Sequence, residues 1–253
     1  MFEVATHVAV LLIIAAFFAG FIDSIAGGGG LISVPALLLA GASPIEALAT
    51  NKLQGTFGAG TAMVTYARAG HVNWRGQLGM GAISALAGAA GAMIAHLIPA
   101  EVLRVIMPVV LVSVALFFAL KPGLSDMDSA VRMQPAVFAV TAVPLIAAYD
   151  GFFGPGTGSF FMLAFVMLAG FGVLKATAHT KLLNFASNIG SLSIFLFSGS
   201  TWWVVGFGMA MAQIAGASLG ARLAMRIGAR LIKPLLVVTS SAMAARLLWQ
   251  AFA

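Results

Sequence analysis

The stretch that decides the fold is VAVLLIIAAFFAGFIDSIAGGGGLISVPALLL, from Val8 to Leu39. It opens on an apolar run long enough to cross a bilayer, which takes about 20 residues. The run holds one acid, Asp23, near its end. It stops at Gly27-Gly28-Gly29-Gly30 and resumes as a second, shorter apolar run. Such a run has no solvated face, so it belongs in lipid or inside a large core. The rest of the chain decides between these. Hydrophobic residues fill 61% of the 253 positions and charged residues 8%, with a mean hydropathy of +1.07, whereas soluble domains carry roughly 25% charge. In lipid every backbone N–H and C=O is paired within the protein, which leaves helices or a closed barrel. The runs are rich in Ala, Leu, Met and Gly and lack the period-2 alternation of barrel strands. The expected fold is an all-α polytopic membrane protein.

Outward from that stretch, apolar segments are expected near 8–26, 31–43, 45–68, 77–98, 101–120, 136–153, 158–172, 174–198, 203–224 and 230–252. The second and seventh are short, and each follows a glycine-rich break. The polar stretch 121–135, with Asp126, Asp128 and Arg132, divides a first transmembrane repeat, 1–120, from a second, 136–253. The halves read as copies. Phe21-Ile22-Asp23 with Gly27–Gly30 matches Ala148-Tyr149-Asp150 with Gly154-Pro155-Gly156-Thr157-Gly158. Thr50-Asn51-Lys52-Leu53 matches His179-Thr180-Lys181-Leu182, and Val72-Asn73-Trp74 matches Thr201-Trp202-Trp203. Ile98-Pro99-Ala100 matches Ile227-Gly228-Ala229, and Arg104 matches Lys233. Chance likeness between apolar segments explains matched Ala, Leu and Gly. It does not explain an Asp, a glycine cluster, a Lys and a Trp recurring in order.

Five segments per half is an odd number, which places the second copy upside down. Basic residues test this, because short cytoplasmic loops concentrate Lys and Arg. With the N-terminus outside, the inner loops hold Arg68, Arg75, Lys121, Arg132, Lys175, Arg222, Arg226, Arg230 and Lys233. The outer regions hold only Arg104 and Arg246. The expectation is inverted-topology repeats, a cytoplasmic connector at 121–135, and both termini outside. Met1 to His7 carries Glu3 and no Lys or Arg, so no cleavable signal peptide is expected.

Inverted repeats with interrupted segments at matching positions point to a transporter whose site lies at the repeat interface. Glycine permits φ > 0 and bares backbone N–H groups. The helix restarting after each break offers unpaired donors and a positive dipole end, which suit an anion. Gly27, Gly28, Gly29, Gly30, Gly154, Gly156, Thr157 and Gly158 are therefore candidate substrate-binding residues. Close helix packing is the plainer use of glycine, and it suffices for scattered ones such as Gly88 and Gly91. Lys52 and Lys181 each lie about two turns into an apolar helix, at a cost of about 2.5–3.5 kcal/mol on insertion scales. An anionic substrate would offset that cost, as would a structural pair with Asp23 or Asp150. Either acid is a candidate for carrying a proton or for capping the donors of its own glycine break. Asn51, Gln54, Thr180, Asn184 and Asn188 are candidate donors to oxyanions, and His179 is a candidate for coupling or ion pairing.

Other chemistries find less support. Without cysteine there is no disulfide, thiolate site or Cys nucleophile. His7, His71, His96 and His179 lie far apart, so neither metal nor cofactor is expected. The net charge of +6 is scattered and makes no nucleic-acid patch. Ser159 with His179 can be drawn as an intramembrane hydrolase dyad, but Ser159 lacks a G-x-S-x-G elbow. Trp74, Trp202 and Trp203 are expected at membrane interfaces.

The segment from Ala19 to Leu37, with Ala47-Leu48-Ala49-Thr50-Asn51-Lys52 after it, resembles the N-terminal signature of the TauE/SafE sulfite exporter family. Gly154-Pro155-Gly156-Thr157-Gly158 and His179-Thr180-Lys181 resemble that family's second copy. The resemblance spans nearly the whole chain. It implies a transporter, not an enzyme, that exports sulfite or a related sulfur oxyanion across the bacterial cytoplasmic membrane by alternating access, with a proton as possible partner. The residues themselves indicate only a small anion, so a transporter or channel for an organic anion such as a sulfonate stays open. Pro155, Thr157 and Thr180 break the symmetry of the matched motifs, so the two half-sites are expected to be inequivalent.

Overall fold

The computed structural model describes residues 3–119 and 127–228, and all regular structure among them is helical. The segment expected at 230–252, and Lys121, Asp126, Arg230, Lys233 and Arg246, lie outside the described residues.

The elements follow the sequence closely. Helix α1, Thr6–Ala26, ends where Gly27 turns to φ 77° and donates its N–H to the Asp23 carbonyl. Helix α2, Gly30–Leu39, has 10 residues and spans roughly 15 Å, half of a hydrocarbon core of about 30 Å. Helix α3, Pro44–Arg68, starts on a capping box. The Ser43 N–H donates to Glu46 at 2.7 Å, the Glu46 N–H donates back to the Ser43 hydroxyl at 3.4 Å, and Pro44 fills the first helical position. A 3-10 turn at Trp74–Gln77 leads into α4, Leu78–Leu97, followed by α5, Ala100–Ala119. After the connector come α6, Pro135–Val140, and α7, Ala142–Phe152. Helix α8 is Thr157–Met167, α9 Val173–Ser198 and α10 Trp203–Ile227. Glu3 accepts the Val204 and Val205 N–H groups at 2.8 and 3.1 Å, so a carboxylate caps α10.

Three details differ from the expected segments, the first being that the second segment ends at Leu39, short of 43. The run 136–153 is not one straight helix: it breaks at Thr141, φ −120° and ψ −71°. Pro144 stands three residues on and has no N–H to give the preceding turn. The seventh segment ends at Met167, short of 172. Its last residues instead take up the connector: Leu168 accepts from the N–H groups of Arg132 and Met133, and Gly170 from Ser129. Asp128 completes this seam with the Gly172 N–H and the Lys175 ammonium, both at 2.7 Å. The Lys175 hydrogen bond holds the Asp128 carboxyl below its ordinary value despite its exposure.

The stretches Thr6–Ala26, Trp74–Leu97, Pro135–Phe152 and Trp203–Ile227 are long and apolar enough to cross a membrane. Their outer faces bear exposed Leu11, Ile14, Phe18, Leu86 and Leu145, as a lipid-facing surface requires. Helices α3 and α9 pack side by side in the middle. Helices α1 and α4 take their main partners from the other side of the connector: α1 packs on α10, and α4 on α9 and α7. Two of these contacts are backbone to backbone. A Cβ on Gly151 would lie 1.8 Å from the Gly88 carbonyl oxygen, and one on Gly216 2.0 Å from that of Phe17.

Gly151→Ala and Gly216→Ala are each expected to lower the unfolding temperature, at a cost of about 1–3 kcal/mol, because backbone cannot rotate out of the way. Gly79→Ala, with open space around its added carbon, is the control and should leave it unchanged. Scanning fluorimetry of the detergent-solubilised protein checks all three.

Candidate functional site

The two glycine breaks face each other at the centre of the bundle. A Cβ on Gly27 would lie 2.2 Å from the Ser159 nitrogen, and one on Gly30 3.1 Å from the Pro155 Cα. The Ser159 hydroxyl donates to the Ala26 carbonyl at 2.8 Å, fastening the start of α8 to the end of α1. Gly156, φ 86°, sits at the left-handed N-cap of α8, where only glycine is unstrained. The chain's two tyrosines fasten the breaks from outside. Tyr66 on α3 donates to the Ser24 carbonyl at 2.9 Å, and Tyr149 on α7 to that of Pro155 at 2.7 Å.

Each lysine meets an acid from beyond the connector. Lys52 on α3 lies 2.7 Å from Asp150 on α7, with both side chains almost fully buried. Lys181 on α9 lies 3.4 Å from the Asp23 carboxylate on α1 and also donates to the Asp23 carbonyl. The remaining carboxylate oxygens are used too. Asp150 accepts from the Ser187 hydroxyl at 2.6 Å, and Asp23 from the Gly29 N–H at 3.2 Å. Asp23 thus caps its own break, while Asp150 does not. An ammonium in lipid costs several kcal/mol if unpaired, and a carboxylate with its lone pairs filled offsets much of that.

Between the breaks lies a cavity of about 30 Å³. The first break supplies Gly28, Gly29 and Gly30 to its wall, and the second supplies Gly154, Gly156, Thr157 and Gly158. Asp23, Asp150, Asn51, Asn184 and Asn188 complete the part foreseen from sequence, and Gly55 and Gln213 join them. A water occupies at least 10–15 Å³ on this measure, so about two waters fit.

The other expected residues stand behind the wall. Lys52 lies beneath Gly154, whose added Cβ would come within 2.9 Å of its ammonium. Gln54 donates to the Asn51 carbonyl oxygen at 3.4 Å, and Ser33 to the same oxygen at 2.6 Å, which leaves the Asn51 NH₂ free for other acceptors. Asn188 donates to the side-chain oxygen of Asn184 at 3.2 Å and fixes that amide in the same sense. Thr180 and Lys181 are fully buried, and Gly27 packs against Ser159. His179 is held away, its ring 5.8 Å from that of Phe165 and 4.9 Å from that of Phe171. The structure therefore does not assemble Ser159 and His179 into a dyad: the Ser159 hydroxyl is spent on Ala26. Among the described residues no group of three His, Asp or Glu is placed to hold a metal ion. Gly55 and Gln213 carried no signal in the sequence, because Gln213 has no matching residue type in the first half.

The chain matches the family model described as Sulfite exporter TauE/SafE over residues 12–247. It is 56% identical over 248 residues to a probable membrane transporter protein, ORF9, of Sinorhizobium sp, covering 98% of this chain and 95% of that one. It is 44% identical to the probable membrane transporter protein YfcA of Escherichia coli strain K12, over 98% of this chain and 93% of that one. A probable membrane transporter protein of Haemophilus influenzae is 40% identical over 98% and 97%. No solved structure matches the chain at a significant level.

Lys52→Met and Asp150→Asn are each expected to cost about 3–5 kcal/mol, because each strands a buried charge. The double variant should recover most of the loss. Folded yield by size-exclusion chromatography and the unfolding temperature report all three proteins. Additive losses in the double variant would mean that the pair is not coupled.

Proposed function

The chain belongs to the Sulfite exporter TauE/SafE family and is a membrane transporter, and on that footing we propose that it exports sulfite or a related small sulfur oxyanion across the bacterial cytoplasmic membrane. The observation that carries this reading is the donor-lined cavity between two opposed glycine breaks, with a buried lysine behind each. Asn51 and Asn184 turn NH₂ groups free for an anion, and the first turn of α8 adds backbone N–H groups. Gln54 acts on the anion through Asn51.

The transport cycle is alternating access between two inverted repeats, 1–120 and 136–253, joined by a cytoplasmic connector at 121–135, with both termini in the periplasm. The exchange of partners supports the symmetry: Lys52 with Asp150 mirrors Lys181 with Asp23, and α1 on α10 mirrors α7 on α4. The cavity supports it as well. It holds about two waters and not an anion of four heavy atoms, as befits a closed stage of a cycle. Both lysines are neutralised in this stage, so a bound anion gains their charge only if an aspartate lets go. Protonation of Asp23 or Asp150 would release it, which couples anion movement to a proton.

In proteoliposomes loaded with labelled sulfite, Lys52→Ala and Lys181→Ala are expected to lower flux at least about tenfold, the equivalent of about 1.4 kcal/mol. Unchanged flux in both removes the lysines from the mechanism. An imposed pH gradient should drive flux in the wild type and lose its effect in Asp23→Asn or Asp150→Asn. A wild type that ignores the gradient is not proton-coupled.

A further inference from the structure

Gln213 lies in the middle of α10, outside both breaks and outside every matched motif. It is 4% exposed and lines the cavity. Its amide makes no hydrogen bond with any described residue, although Asn51, Asn184 and Asn188 in the same wall are all bonded. An amide that borders a cavity inside an apolar bundle is completed by what enters that cavity, a ligand or water.

The fold is shaped around this side chain. A Cβ on Gly20 would strike the Gln213 backbone at 2.7 Å, so α1 presses against its base. A Cβ on Gly58 would lie 2.0 Å from its Oε1, so α3 is stripped of side chain where the amide crosses it. One end of the amide lies against Gly58, and the side chain borders the cavity, where its NH₂ can turn to an anion. The first half has no equivalent. At the spacing that aligns Lys52 with Lys181, Gln213 aligns with Ser84, whose hydroxyl is spent on the Leu183 carbonyl at 2.7 Å.

We propose that Gln213 is a substrate-contacting residue whose amide donates to an oxygen of the small oxyanion held between the breaks. The proposal rests on the export reading above and adds a contact from α10 that exists on one side of the cavity alone. It makes the site asymmetric. Asn184, Asn188 and Gln213 all come from the second half, while the first contributes Asn51.

The test uses the full-length protein in liposomes, with labelled sulfite flux and ligand-free unfolding temperature read for each variant. Gln213→Met keeps the length and flexibility of the side chain. It is expected to raise the KM for sulfite by about ten- to a hundredfold, the loss of one hydrogen bond to a charged acceptor, and to leave the ligand-free unfolding temperature unchanged or higher. Gly58→Ala should raise KM in the same direction, because its new carbon displaces only the flexible end of Gln213. Gln213→Glu should do worse than Gln213→Met by adding like charge. An unaltered KM in Gln213→Met overturns the proposal. So does a lowered ligand-free unfolding temperature, which would make the amide structural. A wild type that moves no sulfur oxyanion defeats the export reading separately. The ligand-free stability of Gln213→Met then decides alone: unchanged or raised keeps a ligand-facing amide, and lowered removes it.

Discussion

Two ammonium groups at the heart of an apolar bundle need carboxylates at contact distance, and the rest of the structure is arranged to meet that need. Asp150 reaches Lys52 and Asp23 reaches Lys181 across the connector. For these contacts to form, α3 and α9 must lie side by side, with α1 and α7 flanking them. That brings the ends of α1 and α7, and hence both breaks, to one place. The glycines do the remainder: without side chains at 27, 30 and 158, the breaks approach closely enough to share a cavity.

Much of this was legible in the sequence because lipid is an unforgiving solvent. Runs of apolar residues could only be helices, and their ends fell where glycine or proline stopped them. Lys52, Lys181, Asp23 and Asp150 stood out because charge in such surroundings demands explanation. The sequence named the possible partners without saying which acid served which lysine, since pairing across the halves depends on helix packing and leaves no local trace. The bend at Thr141 was less visible, although Pro144 was there to cause it. The wall of the cavity was foreseen where it was made of break glycines and adjoining amides. It was missed at Gly55 and Gln213, which are set by how α3 meets α9 and α10.

The site also shows how charge and contact are divided. The lysines supply field from the layer behind, while amides, backbone donors and the two paired carboxylates, Asp23 and Asp150, make up the wall. Gln54 from behind the wall and Asn188 from within it each occupy a neighbouring amide oxygen, which leaves that neighbour's nitrogen end to face outward. Such an arrangement keeps the wall neutral while both ion pairs are closed, and it ties the charge felt inside to the state of two carboxylates.

The crossed pairing carries a consequence for how the chain is made. Lys52 enters the membrane long before Asp150 has been synthesised, and Asp23 waits still longer for Lys181. During that interval an unpaired ammonium and an unpaired carboxylate sit in the nascent first half, each costly in lipid, and α1 lacks the helix it will pack against. The first half is therefore a poor guest in the bilayer until its counterpart arrives, and it has to be sheltered by the insertion machinery or held near the interface. Only synthesis of the second half supplies the partners that close both ion pairs.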